Sequence, residues 1–345
     1  MKIGVIKERE NGENRIAICP EIITQLKSLN CDIFIEKNSG KNAGFDDETF
    51  SKSGAQIVPT AKDVCLHADI IFKIWAPLPQ EFELFRAGQT IIANFNALSN
   101  PNNIKKIAKL GLQCFALDLI PRISRAQTMD ILSSQNNLAG YKAIITAVEN
   151  LNKAVPLMMT SAGTVNPVKV LILGVGVAGL QAIATAKRLG AIVYASDIRS
   201  DVKEQVESLG AHFIENFSEQ LKSTDILITA ALSPQKEAPK LISRQMLKNL
   251  PIGAVAVDMA AANGGNIEGS KNNQIIKNNG IKIIGNSNLA SKIPYTASKL
   301  FAQNLFNFIT LMYNRQTKKL DINFNDEIIK NTCICQNGKL MGDIS

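Results

Sequence analysis

Over the first third of the chain, short apolar runs alternate with stretches in which apolar residues recur every three or four positions. Residues 2–6, 32–35, 70–74, 90–93 and 113–117 predict strands, and 20–29, 80–86 and 102–110 predict helices. Strand and helix in regular alternation predict a parallel sheet covered on both faces. No glycine-rich turn follows the first strand, so this half reads as an open α/β domain without a nucleotide fingerprint. From about Leu132 the spacing predicts a long helix, with Leu138, Tyr141, Ile145 and Val148 on one stripe. The polar stretch before it, with Arg122, Arg125, Gln127 and Asp130, reads as a loop, and the helix as a bridge between two domains. Pro156 and the stretch 161–167 then break the pattern.

A second α/β series follows. Residues 168–173, 192–196, 225–230, 254–258 and 281–284 predict strands, and 177–189 and 202–209 predict helices. After about residue 298, a helical pattern over 300–313 precedes a strand-like run over 327–335, and this tail is expected to pack back on the first domain.

Gly174-Val175-Gly176-Val177-Ala178-Gly179 fits G-x-G-x-x-G, and it follows the strand VKVLIL and opens a helix, the context its mechanism requires. Gly174 allows the tight turn, Gly176 lets the backbone approach a pyrophosphate, and Gly179 lets the helix pack closely on the sheet. The helix N-terminus offers unpaired N–H groups and the positive end of a dipole to phosphates. Asp197 ends the following strand, where a carboxylate accepts hydrogen bonds from a ribose hydroxyl and repels a 2′-phosphate, favouring NAD over NADP. Arg199, two residues on, is either a solvated surface charge or a group that tolerates a 2′-phosphate.

The fold class expected is therefore α/β, with two Rossmann-like domains, parallel sheets and a cleft between them. The expected division is 1–133 with 301–345 for one domain and 134–300 for the nucleotide-binding domain. A chain of 345 residues suits two such domains.

Composition narrows the function classes. The chain is 46% hydrophobic and 20% charged, which argues against disorder. No apolar run reaches the roughly 18 residues of a membrane span, and the N-terminus reads as a strand rather than a signal peptide, so a cytosolic location is expected. Cys19, Cys31, Cys65, Cys114, Cys333 and Cys335 include no C-x-x-C pair and read as reduced thiols. His67 and His212 are the only histidines, which disfavours a histidine-rich metal site or a Ser-His-Asp triad. The net charge of +8 has no dense basic tract with interleaved aromatics, so nucleic-acid binding is not expected.

The segments PRISRAQTMDILSSQNNLAGYKAI, VLILGVGVAGLQAIATAKRLGA, VKEQVESLGA and NGGN resemble the alpha subunit of proton-translocating NAD(P) transhydrogenases, in its separately encoded NAD(H)-binding form. The likeness runs from MKIGVIKEREN to the NDEIIKNT tail, and much of it is shared with alanine dehydrogenase. It implies that hydride passes between NAD(H) bound here and NADP(H) on a partner component, coupled to proton movement through membrane-spanning subunits. It also implies a homodimer, not itself inserted in the bilayer, lying peripherally on the cytoplasmic face of the inner membrane. By resemblance Arg122 holds the nicotinamide and its phosphates, and Asp130 and Ser133 orient the carboxamide. Gln127 reaches toward the partner's NADP. Gly176 and Val177 lie at the pyrophosphate, Asp197 and Ile198 at the adenosine ribose, and Leu232 on the adenosine side.

The residues leave alternatives open. Arg122 and Arg125 by composition are ordinary surface charges, Gln127 an exposed helix residue, and Ser133 and Ser134 an N-cap pair for the long helix. Hydride transfer between two nicotinamides moves no proton on O or N and needs only close approach and orientation. Alanine dehydrogenases must manage protons, and where they carry a histidine and an aspartate this chain has Asn96 and Ala262. Their substrate-carboxylate residues persist as Arg15 and Lys73, read here as remnants held in salt bridges. Transhydrogenases usually carry a longer insertion with a mobile lid, but only 216–223 joins Glu215 to Thr224 here. In the next loop Ser233 and Gln235 stand where isoleucine and glycine are usual. The competing readings are an alanine dehydrogenase-like enzyme and a catalytically inert NAD-binding regulatory module.

Overall fold

The computed structural model describes residues 1–232, 237–314 and 316–341. It divides into two compact units, Met1–Gln135 with the described residues from Ile293 onward, and Asn136–Lys292. The first boundary falls inside one helix, Ile131–Asn150.

In the first unit the parallel strands are β1 (Lys2–Val5), β2 (Asp32–Glu36), β3 (Gln56–Val58), β4 (Ile70–Trp75), β5 (Thr90–Asn94) and β6 (Gln113–Ala116). They lie in the order 3-2-1-4-5-6, that of a doubly wound sheet. The tail adds Cys333–Gln336, antiparallel to β6, and then Lys339–Leu340. Alternate residues of each strand feed cores on opposite faces. Ile3, Val5, Phe72, Ile92 and Phe115 pack with Phe301 and Phe308 of the helix Pro294–Leu311. Ile71, Ile91, Ala93 and Cys114 pack with Val64, Ile104 and Ile107. Burial of both faces gives the near-continuous apolar strands read from the sequence. The tail does pack on this unit, but 327–335 is not one strand: Glu327–Thr332 is a helix capped by Asp326, whose Oδ1 accepts from Ile328 N at 2.9 Å. The stretch expected as a helix over 80–86 is a 3-10 turn, Pro79–Leu84.

The second unit repeats the plan. Its strands are β7 (Lys169–Leu173), β8 (Ile192–Ser196), β9 (His212–Phe213), β10 (Ile226–Thr229), β11 (Val255–Asp258), β12 (Gln274–Asn278) and β13 (Ile281–Gly285), in the order 9-8-7-10-11-13-12. Only β12, an exposed edge strand, is antiparallel. A short hairpin, Met158–Thr160 with Gly163–Val165, is exposed along its length.

The long helix does not bury the expected stripe. Tyr141 is exposed and Leu138, Ile145 and Val148 are half-buried, whereas Ala139, Ala143, Ile144 and Ala147 are buried. The reason is close approach: a Cβ on Gly140 would lie 2.1 Å from Ala178 O in the helix Val177–Arg188. Small residues make that contact, and a reading weighted by large apolar side chains looks past them. No helix among the described residues is long and apolar enough to cross a membrane.

Candidate functional site

The order 9-8-7-10-11 puts a topological switch point between β7 and β10, where ligands settle in open α/β sheets. The glycine turn stands at that point. Gly174 has φ +95°, and a Cβ there would lie 2.8 Å from Ala231 N, so no other residue fits. Gly176 faces open space, the room a pyrophosphate needs. A Cβ on Gly179 would lie 2.1 Å from Gly174 O, which holds the helix against the turn. No side chain caps the helix start, and its first main-chain bond is Leu180 N to Gly176 O, so the amides of its first turn remain for an anion. The turn therefore fits a dinucleotide's phosphates. Val177, Ile198 and Leu232 leave apolar surface exposed around the turn, and Ile198 is completely exposed.

Asp197 braces this arrangement. Its Oδ2 accepts from Val175 N at 2.7 Å and its Oδ1 from Arg199 N at 2.9 Å. The Arg199 side chain folds onto the same carboxylate, with Nε 3.0 Å from Oδ1. Burial pushes the Asp197 carboxyl up, but the Arg199 guanidinium and the two amides more than offset it and hold it below the usual range. Asp197 is therefore ionised at neutral pH.

Two residues that the sequence pattern does not single out organise the neighbouring loops. Asp258, at the end of β11, accepts from the amides of Ala260, Asn266 and Ile267. Asn266, fully buried, donates to Ala231 O and Pro239 O and accepts from Ala231 N. It thereby staples the strand end that carries Leu232 to the NGGN loop. The available signal is a carboxylate ending a strand before a Gly-Gly-Asn run. Ser233 and Gln235 lie outside the described residues.

The arginine block is a 3-10 turn, Ser124–Met129, in the first unit. Its members are not equivalent. Arg125 makes a bidentate pair with Asp326, at 2.6 and 3.1 Å, and so ties the turn to the tail. Asp130 caps the long helix: its Oδ1 accepts from Ser133 N at 2.9 Å, and Ser133 Oγ donates to its Oδ2. The cap is thus Asp130 rather than the serine pair, and Ser134 instead donates to Asn304 Oδ1. Asn304 and Asn307 both donate to Thr128 O, at 2.8 and 2.9 Å, and fix the turn from behind. Arg122 and Gln127 are exposed, and neither side chain has a hydrogen-bonding partner among the described residues. The turn thus brings Asp130 and Ser133 together and leaves Arg122 and Gln127 facing outward.

The first unit has its own switch point, between β1 and β4, and it is filled with paired charges. Lys73 is 1% exposed and lies 3.1 Å from Glu81 Oε1 and 3.4 Å from Glu8 Oε2. Arg15 pairs with Glu13 at 2.7 Å and donates to Gln135 Oε1, and Glu13 also accepts from Trp75 Nε1. Burial pushes the Glu8 carboxyl up, against the opposing pull of Lys73. Asn96 sits on a loop held by Asp118, which accepts from Phe95 N and Ala97 N. Burial raises the Asp118 carboxyl.

Residues 4–139 match the alanine dehydrogenase/PNT N-terminal domain, and residues 143–343 the C-terminal domain of the same family. The chain belongs to the alanine dehydrogenase/PNT family. It is 40% identical to the first portion of the NAD(P) transhydrogenase subunit alpha of Rhodospirillum rubrum, itself a separate chain, over 99% of this chain and 98% of the relative. A crystal structure of transhydrogenase from Sinorhizobium meliloti superposes with a TM-score of 0.94 at 41% identity, covering 99% of this chain and 100% of that one. Alanine dehydrogenase of Bacillus subtilis is 30% identical over 78% of this chain and 72% of its own length. Within the family, the expected likeness to transhydrogenase alpha and the expected two-domain α/β fold both stand.

The alignment with the Rhodospirillum relative spans 375 residues against the 345 of this chain, so the relative carries about 30 residues with no counterpart here. Between β9 and β10 this family member has only a tight connection, closed by the 3-10 turn Gln220–Ser223 and by Thr224 Oγ1 donating to Gln220 O.

Proposed function

We propose that this chain is the NAD(H)-binding component of a proton-translocating transhydrogenase, passing hydride between its own nucleotide and NADP(H) on a partner component. One observation carries the reading. The switch point of the second unit keeps a nucleotide turn open to a ligand, while that of the first unit has Arg15 and Lys73 engaged by carboxylates. A dinucleotide has a place here, and a small carboxylate substrate finds its two cations committed to Glu13, Glu8 and Glu81. The nicotinamide supplies the hydride chemistry, and the residues of this chain bind and orient. Gly174, Gly176, Val177 and Gly179 take the phosphates, and Asp197, Ile198, Arg199 and Leu232 the adenosine half. Arg122, Gln127, Asp130 and Ser133 serve the nicotinamide end. The partners implied are membrane-spanning subunits, an NADP-binding component and a second copy of the chain, with the chain peripheral on the cytoplasmic face of the inner membrane. The short connection before Thr224 supports a nucleotide site that works without the usual lid.

The deciding experiment mixes the chain with a transhydrogenase NADP-binding component and follows hydride transfer from NADH to an NADP analogue. Transfer that needs both proteins supports the reading, and a mixture no faster than either protein alone ends it. On the same reading NADH binds more tightly than NADPH. Asp197→Ala weakens NADH on the order of 10–100-fold, the equivalent of about 1.5–3 kcal/mol for bonds to a charged group. Equal affinity of the unsubstituted chain for both nucleotides, measured by fluorescence titration, would remove the assignment of Asp197. The chain is also expected not to oxidise alanine with NAD. A turnover within the ordinary enzymatic range of about 1–10³ per second would restore the dehydrogenase alternative.

A further inference from the structure

In a dinucleotide-binding unit the carboxylate at the end of the second strand offers its lone pairs to ribose hydroxyls. In this chain those of Asp197 are taken. Oδ1 accepts from Arg199 N at 2.9 Å and from Arg199 Nε at 3.0 Å. Oδ2 accepts from Val175 N at 2.7 Å and from Arg199 Nη2 at 3.1 Å. A carboxylate has about four acceptor positions, so none is left over. Two are held by main-chain amides that orient Asp197, and two by the Arg199 side chain alone. The same Nη2 donates to Val175 O at 3.1 Å, which lays the guanidinium along the glycine turn. Asp197 is 8% exposed and Arg199 53%, so the arginine can swing into water without stranding a buried cation.

The geometry points to Arg199 as an internal competitor for the nucleotide's ribose: it occupies the two acceptor positions that a ribose diol needs and must leave before the diol can enter. This inference rests on the nucleotide reading above and adds a consequence for selectivity. A nucleotide with a free 2′-hydroxyl binds against the cost of displacing Arg199. A nucleotide with a 2′-phosphate meets Asp197 with its charge offset by the neighbouring guanidinium. Arg199 thus narrows the discrimination that Asp197 creates.

Arg199→Ala removes both side-chain donors and leaves the two amide bonds to Asp197 in place. In titrations of the full chain, the variant is expected to bind NADH about two- to fivefold more tightly, the range of a partly exposed ion pair. NADPH is expected to weaken by a similar factor, because its phosphate then faces an uncompensated carboxylate. Arg199→Lys, which keeps the charge but cannot bridge both oxygens and Val175 O, should fall between the two for NADH and keep most of the NADPH affinity. Loss of fold weakens both nucleotides together and cannot produce movement in opposite directions. Weakening of both, or an unchanged NADH-to-NADPH ratio, overturns the inference while leaving the nucleotide site itself intact. Failure of the unsubstituted chain to bind NADH at all would instead remove the nucleotide reading and this one with it.

Discussion

Lys73→Met is expected to lower folding stability at pH 7 by about 3–5 kcal/mol, the usual penalty for removing one partner of a buried ion pair. The lysine lies between Glu8 and Glu81, and all three side chains are at most 2% exposed. Glu81 keeps a contact with Arg9 at 3.4 Å after the substitution, but Glu8 loses its one cation within ion-pair distance among the described residues. The pH dependence separates a charge effect from a packing effect. Burial already raises the Glu8 carboxyl above its ordinary value, and Lys73 is the largest influence opposing that rise. Without the lysine the folded-state value climbs further. A group whose folded value is raised contributes stability that is complete below its unfolded value and is lost as pH rises through the folded one. The deficit of the variant should therefore be largest at neutral pH and shrink as pH falls toward the ordinary glutamate range. Denaturant unfolding of both proteins at two pH values measures it, and an equal deficit at both would mean that packing, not charge, makes the site.

For hydride transfer the largest effect is expected from Gln127→Asn. The change keeps the amide but shortens its reach by one methylene. Misplacing a reacting pair by about 1 Å can slow it on the order of 10²-fold. The main chain beneath Gln127 cannot easily compensate, because Asn304 and Asn307 hold Thr128 O and Arg125 ties the turn to Asp326. The variant should bind NADH normally and transfer hydride to a partner-bound NADP analogue about 10²-fold more slowly. Arg122→Ala should damage both steps. Single-turnover transfer by the Gln127 variant at the unsubstituted rate would make Gln127 a surface residue.

The central strands are legible in the sequence because burial on both faces leaves little but Ile, Val, Leu and Phe in them, as in KVLIL and ILIT. The nucleotide turn is legible because glycine is the one residue that fits at Gly174 and Gly179. The edge strands Gln56–Val58 and Gln274–Asn278 are not, since short half-exposed strands carry no continuous apolar run. The run 327–335 reads as one strand because Ile328 and Ile329 suit either element, and the deciding sign is the cap at Asp326. Asn304 and Asn266 stay hidden for a different reason. A buried asparagine looks solvated in sequence, and only folding reveals that its amide has replaced water with main-chain partners. Asn96 and Ala262 can be set beside the family pattern without a structure. The commitment of Arg15 and Lys73 to carboxylates can be established only with one.

The first unit is assembled from two stretches of chain with the whole of Asn136–Lys292 between them, and this sets an order of events on the ribosome. Phe301, Leu305, Phe308 and Ile309 cover one face of its sheet, and Cys333–Gln336 pairs with β6. Until those residues emerge, the sheet has an uncovered apolar face and an unpaired edge. At about 5–20 residues per second, translating the intervening unit alone takes roughly 8–30 s. The nucleotide unit is contiguous and can close on itself during that interval. The amino-terminal strands, although made first, are completed last, and they are the segment of the nascent chain that most needs chaperone protection.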